Sequence, residues 1–209
     1  MTVDVLPRAA AGLGVGLALA SAPGPVQAVL MAESVRGGVA RGFKAMAGAS
    51  FTFGLLLVGL ALGLSVAPPS GLALRILKMA GGALLVWLAV DGFRSGHQVV
   101  AAAPTGRRSL PPAARGALAI LLNPGGWVFL GTVASSLFAA ATRLGGTGAA
   151  VVVAVALMIG LAIGDGTVVL LGGIGVRRAG ERVRLVVRRL LATLLAGLGL
   201  WLFLSGLLS

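Results

Sequence analysis

Cysteine is absent from the 209 residues, and histidine occurs once, as His97. The first absence removes disulfides, thiolate metal sites and dithiol electron relays. The second leaves soft and borderline metals without their usual ligands. Charge is scarce as well: charged residues make up 11% of the chain, and five acids face 17 Lys and Arg. With 58% hydrophobic residues, 34 glycines and a mean hydropathy of +1.05, the sequence does not describe a water-soluble domain.

What is present is a series of apolar windows, at 9–32, 45–74, 79–90, 116–142, 144–164 and 190–209. The third widens to 71–93 if Arg75 and Lys78 snorkel toward the interface, and the fifth continues past Asp165 to about residue 175. The expectation is an all-α polytopic membrane protein of six transmembrane helices, with 1–209 forming one membrane domain. Arg8 before an apolar run and the small residues Ala20-Ser21-Ala22 imitate a signal peptide. Pro23 would follow the cut and disfavour it, so the first window is read as a retained span.

Most of the basic residues lie in short connections rather than on a face or in a folded unit, which argues against nucleic acid as a partner. With the N-terminus outside, the inner loops hold Arg36, Arg41 and Lys44, then Arg94, Arg107, Arg108 and Arg115, then Arg177, Arg178, Arg182, Arg184, Arg188 and Arg189. The outer side keeps Arg8, Arg75, Lys78 and Arg143. Positive charge favours the inner side, so both termini are expected outside, with the inner loops against anionic headgroups of membrane lipids.

Two spans are interrupted at matching places, Pro23-Gly24-Pro25 in the first and Asn123-Pro124-Gly125 in the fourth. Proline removes a backbone donor and pushes the preceding residue out of helical geometry. In hydrocarbon the freed groups need partners, so broken backbone survives only where it faces protein, water or a ligand. The two breaks therefore suggest a substrate pathway. Pro23-Gly24 recurs as Pro124-Gly125, and Gly59-Leu60-Ala61-Leu62-Gly63 recurs as Gly160-Leu161-Ala162-Ile163-Gly164, both at one offset. Each half then holds three spans, and an odd number inverts the second half relative to the first. The expected organisation is two inverted three-helix repeats, 9–93 and 116–208, joined by a basic, proline-containing cytoplasmic linker over 94–115. The glycine pairs 59/63, 160/164 and 38/42 have the spacing of close helix contacts, while Trp87, Trp127 and Trp201 read as packing or interfacial anchors.

Acids near the spans are few enough to consider singly. Asp165 follows a long uncharged run and precedes another, which places it inside the bundle, where a buried charge is costly and a proton can be held. The alternative is an acid satisfied by a neighbouring helix, or one paired with Arg177 or Arg178. Glu33 lies three residues before Arg36, and Asp91 three before Arg94, spacings that suit ion pairs within a helix. Glu33 is a secondary candidate for function. Gln27 and Asn123 flank the breaks, where an amide can hold a zwitterionic ligand or satisfy exposed backbone; both roles stay open.

Several segments together resemble the LysE/RhtB-type amino-acid exporters. These are Pro23-Gly24-Pro25 followed by Ser34-Val35-Arg36-Gly37-Gly38, Arg41-Gly42, Gly48 and Gly54; Leu77 through Leu88; Leu122-Asn123-Pro124; and Asp165. The likeness covers nearly the whole chain. It implies a six-helix exporter of the bacterial inner membrane that expels amino acids or related small metabolites in exchange for protons. It implies no enzyme and no cofactor, and a homo-oligomer stays open. Family members often carry Asn after the first motif and Lys after the second, where this chain has Val26-Gln27 and Gly125-Gly126. Those departures fall where a substrate would be read.

The mechanism expected from these readings is alternating access, with the two halves rocking about a midplane site. That site comprises Pro23, Gly24, Pro25, Gln27, Asn123, Pro124 and Gly125, with Asp165 exchanging the proton. A metal or inorganic-ion translocator of related fold, and a membrane subunit that transports nothing, are the alternatives.

Overall fold

The computed structural model describes residues 5–65, 67–95 and 110–208, and among them every regular element is helical. In chain order these are α1 (Val5–Ser21), α2 (Pro25–Gly37), α3 (Val39–Ala61), α4 (Gly71–Ser95), α5 (Pro112–Leu121) and α6 (Pro124–Phe129). A π-helical turn, Leu130–Ala134, leads into α7 (Ser135–Leu170), and a second, Leu171–Gly175, into α8 (Val176–Arg178) and α9 (Glu181–Leu208).

Four helical stretches are long and apolar enough to cross a membrane: Val39–Ala61, Gly71–Arg94, Pro124–Gly175 and Glu181–Leu208. The pair Leu6–Ser21 and Pro25–Gly37, bent by 66° across the first proline motif, makes a fifth when counted as one broken span. The chain is thus a multi-pass membrane protein. Large apolar side chains such as Phe51, Leu55, Ile163 and Trp201 lie exposed on its outside, where lipid accepts them.

Each interruption has a local cause. Gly24 is fully extended (φ −162, ψ 179) between two prolines, and Pro25 opens α2 at the first helical position, where its missing N–H costs nothing. Asn123 is likewise non-helical (φ −92, ψ 104), and Pro124 opens α6. Within α7 the chain leaves helical geometry at Gly145 (φ −141, ψ 20) and Gly146 (φ 69, ψ −170). The positive φ at Gly146 is one that a residue with a side chain rarely adopts.

Three crossings, α1 on α7, α3 on α5 and α4 on α9, tie the bundle together. All use glycine to bring backbones close, as expected where van der Waals packing replaces the hydrophobic effect between helices. A Cβ at Gly16 would stand 2.1 Å from Leu157 O, one at Gly160 2.2 Å from Leu13 O, and one at Gly116 1.9 Å from Ala45 O. Gly82 and Gly199 face each other in the same way. The interior forms two clusters, one around Phe53, Leu57, Leu130, Phe138, Val153 and Leu157, the other around Val29, Leu30, Leu85, Leu88, Val169 and Leu195. Ile120 touches both.

Three expectations need correction. Gly160 and Gly164 pack on α1 and Gly42 packs on Ser34 of α2 and Val169 of α7, but Gly63 (φ 98) turns the chain after α3, and Gly38 (φ 81) joins α2 to α3, so those two are junctions rather than contact faces. Arg75 is exposed, and its Nε and Nη2 donate to the carbonyls of Gly206 and Leu207 at 3.0 Å each, capping the C-terminal end of α9. Residues 112–115 of the expected linker are helical, because Pro112 starts α5. His97, Pro104, Arg107 and Arg108 lie outside the described residues. Finally, Glu33 pairs between helices rather than with Arg36, bonding Arg41 and Arg115, and Asp91 likewise reaches Arg36 and Arg115 on other helices.

Candidate functional site

The two broken backbones come together. Pro25 of the first break and Leu122 of the second line one small apolar pocket with Gly81, Leu84, Leu85, Ala119 and Leu202, and the space left between them is about 10 Å³. That is room for about one water at most and none for a passenger. Gly81 permits the approach, since a Cβ there would lie 2.2 Å from Leu122 O. At the second break Asn123 satisfies its own helix, its side-chain oxygen accepting from the Gly125 N–H at 3.1 Å. Trp127 adds a bond from Nε1 to Leu121 O at 2.8 Å, closing the turn from the other side.

Below the first break, polarity is concentrated on one acid. Asp165 is 2% exposed, and the side chain of Gln27, two positions into α2 beyond Pro25, is its hydrogen-bond partner. Among the described residues its Oδ1 has no partner, and neither has Ser50 Oγ on α3, a helix packed against α7. An unsatisfied buried acceptor costs about 1–3 kcal/mol. Such a cost in an otherwise well-packed interior calls for a specific cause, such as an ordered water, an ion, a proton on the acid or a functional role. Thus Gln27 and Asp165 are brought together, while Asn123 turns to its own backbone.

At the basic end, charges bind four helices. Glu33 of α2 accepts from Arg41 of α3 at 2.6 Å and from Arg115 of α5 at 3.1 Å. Arg115 also reaches Asp91 of α4 at 2.7 Å, and Asp91 pairs in addition with Arg36 of α2. The Arg115 guanidinium lies 5.1 Å from the centre of the Trp87 ring, and its Nε donates to Leu110 O. Its side chain is 2% exposed. In the sequence Arg115 stands out only as one of the inner-loop charges that orient the chain. The signal that locates it is positional: it sits a turn before Ala119 on the buried face of α5.

Beside this network a crevice of about 30 Å³ is lined by Val29, Glu33, Arg36, Leu88, Arg115, Arg188 and Leu195 among others. The opposite end differs. There, Leu60 to Ser65 at and beyond the end of α3, Gly131, Ser135, Phe138, Thr142, Arg143 and Thr147 surround an open space of about 580 Å³.

The family profile of the LysE type translocators matches residues 17–206, which takes in both breaks, Asp165 and the ion-pair network. The chain belongs to the LysE type translocator family. Members of this family are transporters rather than enzymes, and a transporter implies a small-molecule passenger. Searches among curated proteins and among solved structures returned no match. In this translocator, then, the broken spans, the isolated acid and the two unlike ends are parts to be assigned within a transport cycle.

Proposed function

We propose that this translocator is a secondary active exporter of amino acids or related small metabolites, driven by proton antiport through alternating access in a bacterial inner membrane. The observation that carries the reading is Asp165, a buried acid with one oxygen unsatisfied among the described residues, held by Gln27 just past the broken backbone of the first span. A proton on Asp165 removes a buried charge and changes which packing of the surrounding helices costs less. The extended backbone at Gly24, the first amides of α2 and the side-chain N–H of Asn123, whose oxygen caps its own helix, offer donors to a carboxylate, and Gln27 offers an amide oxygen to an amino group.

Counting the bent α1–α2 pair as one span and the kink at Gly145 and Gly146 as the turn between two spans gives six. The contact pattern supports an inverted repeat of three and three. Exchanging the halves carries the α1–α7 crossing onto the α5–α3 crossing and returns the α4–α9 crossing to itself. In this reading the basic end is cytoplasmic, both termini are outside, and the 580 Å³ space opens outward.

The test is efflux from cells expressing the chain, with amino acids and dipeptides loaded inside, followed by proteoliposomes carrying an imposed pH gradient. The expected result is accelerated release of at least one compound, strengthened when the outside is acidic. Release equal to that of cells lacking the chain for every compound, or release indifferent to the gradient, overturns the proposal.

A further inference from the structure

We infer that the crevice at the basic end is a loading site for a carboxylate, with Arg115 as the group that receives it and Asp91 as the carboxylate it displaces. This rests on the export reading and names the part of the passenger that the closed end recognises. The lining is suited to an amphiphilic acid: Arg36, Arg115 and Arg188, against the one acid Glu33, stand among Val29, Leu88, Leu191 and Leu195. Guanidinium is the side-chain group best matched to a carboxylate.

The two acids on Arg115 are not equivalent. Glu33 is 4% exposed and bonds two arginines from two other helices, so it belongs to the fixed frame. Asp91 is 25% exposed and holds Arg36 as well as Arg115. An incoming carboxylate can therefore take the place of Asp91 on Arg115 while Asp91 stays with Arg36. No buried charge is left without a counter-ion at any stage, which is the condition under which breaking a buried pair is affordable.

The exchange also has a mechanical consequence. The Asp91–Arg115 bond joins α4 to α5 at this end beside the contact of Arg115 with Trp87, where the crevice is only about 30 Å³. A passenger that replaces Asp91 removes the charged link between the two helices as it binds, and the narrow end loosens only for a molecule carrying the right charge. A neutral amide of the same shape lacks the means to displace Asp91.

The absence of cysteine makes the test direct. Leu191→Cys places a single thiol on the crevice wall of the full-length protein, purified into lipid nanodiscs and treated with a maleimide. The probes are leucine, glutamate and lysine, and the C-terminal amide of each. The site predicts slow labelling alone, labelling several-fold faster with at least one free amino acid, and no acceleration by its amide. Asp91→Asn in the same background should label several-fold faster without any probe, and Arg115→Met should lose the response to carboxylate. Because Arg115→Met removes a buried partner and can unfold the protein, the Asp91→Asn arm stands independently. Unchanged labelling in Asp91→Asn, amides as effective as acids, or no response to any of the three acids overturns the inference. Efflux measured alongside separates the two readings. Labelling that responds without efflux removes the exporter and keeps the site, and efflux without a labelling response does the reverse.

Discussion

Arg115 and Glu33, 82 positions apart in the chain, meet at 3.1 Å with both side chains almost wholly buried. Removing one member of such a pair strands the other, and breaking a buried pair costs about 3–5 kcal/mol. Here each has a second partner, Arg41 for Glu33 and Asp91 for Arg115, which softens the loss. Arg115→Met and Glu33→Gln are each expected to lower stability by about 2–3 kcal/mol, and the double variant by at least 1 kcal/mol less than their sum. Unfolding in detergent across the double-mutant cycle measures the difference. Strict additivity would mean that the pair contributes nothing of its own.

Asp165→Asn separates coupling from folding. Asn keeps a side-chain oxygen for Gln27 and removes the charge, so the helices around it should pack as before. Stability is expected to be unchanged or slightly raised. In proteoliposomes, release should lose its dependence on the pH gradient while exchange of passenger for passenger continues. A variant that still responds fully to the gradient would show that the proton travels elsewhere.

The helix crossings make a sharper stability prediction. Gly116→Val places atoms where Ala45 O already lies, since a Cβ alone would come within 1.9 Å, and overpacking of this kind costs about 1–3 kcal/mol or more. Gly14, on the same helix as the close-packed Gly12 and Gly16, has nothing within 4 Å of a Cβ. Gly14→Ala should be neutral or stabilise by up to about 1 kcal/mol through helix propensity. Yield of monodisperse protein and its melting temperature in detergent distinguish the two. Equal effects would place the α3–α5 contact elsewhere.

Much of this architecture was legible because lipid imposes it. Long apolar windows without charge have one use, and Pro23, Pro25 and Pro124 break helices wherever they occur, so both interruptions and the all-helical class follow from residue type. Asp165 stood out for the same reason: an acid between two apolar runs has nowhere to go but inside. The ion-pair network was not legible. Glu33–Arg36 and Asp91–Arg94 have the spacing of local pairs, and spacing carries no knowledge of which helices are neighbours. Only the fold brings Arg115 and Arg41 to Glu33 and Arg36 to Asp91. Glycine misleads likewise, because Gly59-to-Gly63 and Gly160-to-Gly164 read alike, yet only the second lies in a helix crossing.

Asn123 is where the two remaining roles of a broken-span amide can be told apart. Its oxygen accepts the Gly125 N–H at 3.1 Å, a cap whose loss costs about 1 kcal/mol in water and more where no water replaces it. Asn123→Ala should therefore lower stability by at least that amount and reduce efflux. Asn123→Asp restores an oxygen at the same place but has no N–H to donate. If the residue serves only its own helix, Asn123→Asp should return both stability and efflux toward the unaltered level. If its amide also donates to the passenger, stability returns while efflux stays low, with the defect appearing in the concentration needed for half-maximal rate. A melting curve and an efflux titration on the same three proteins decide between them, because a capping oxygen is shared by Asn and Asp and a donor is not.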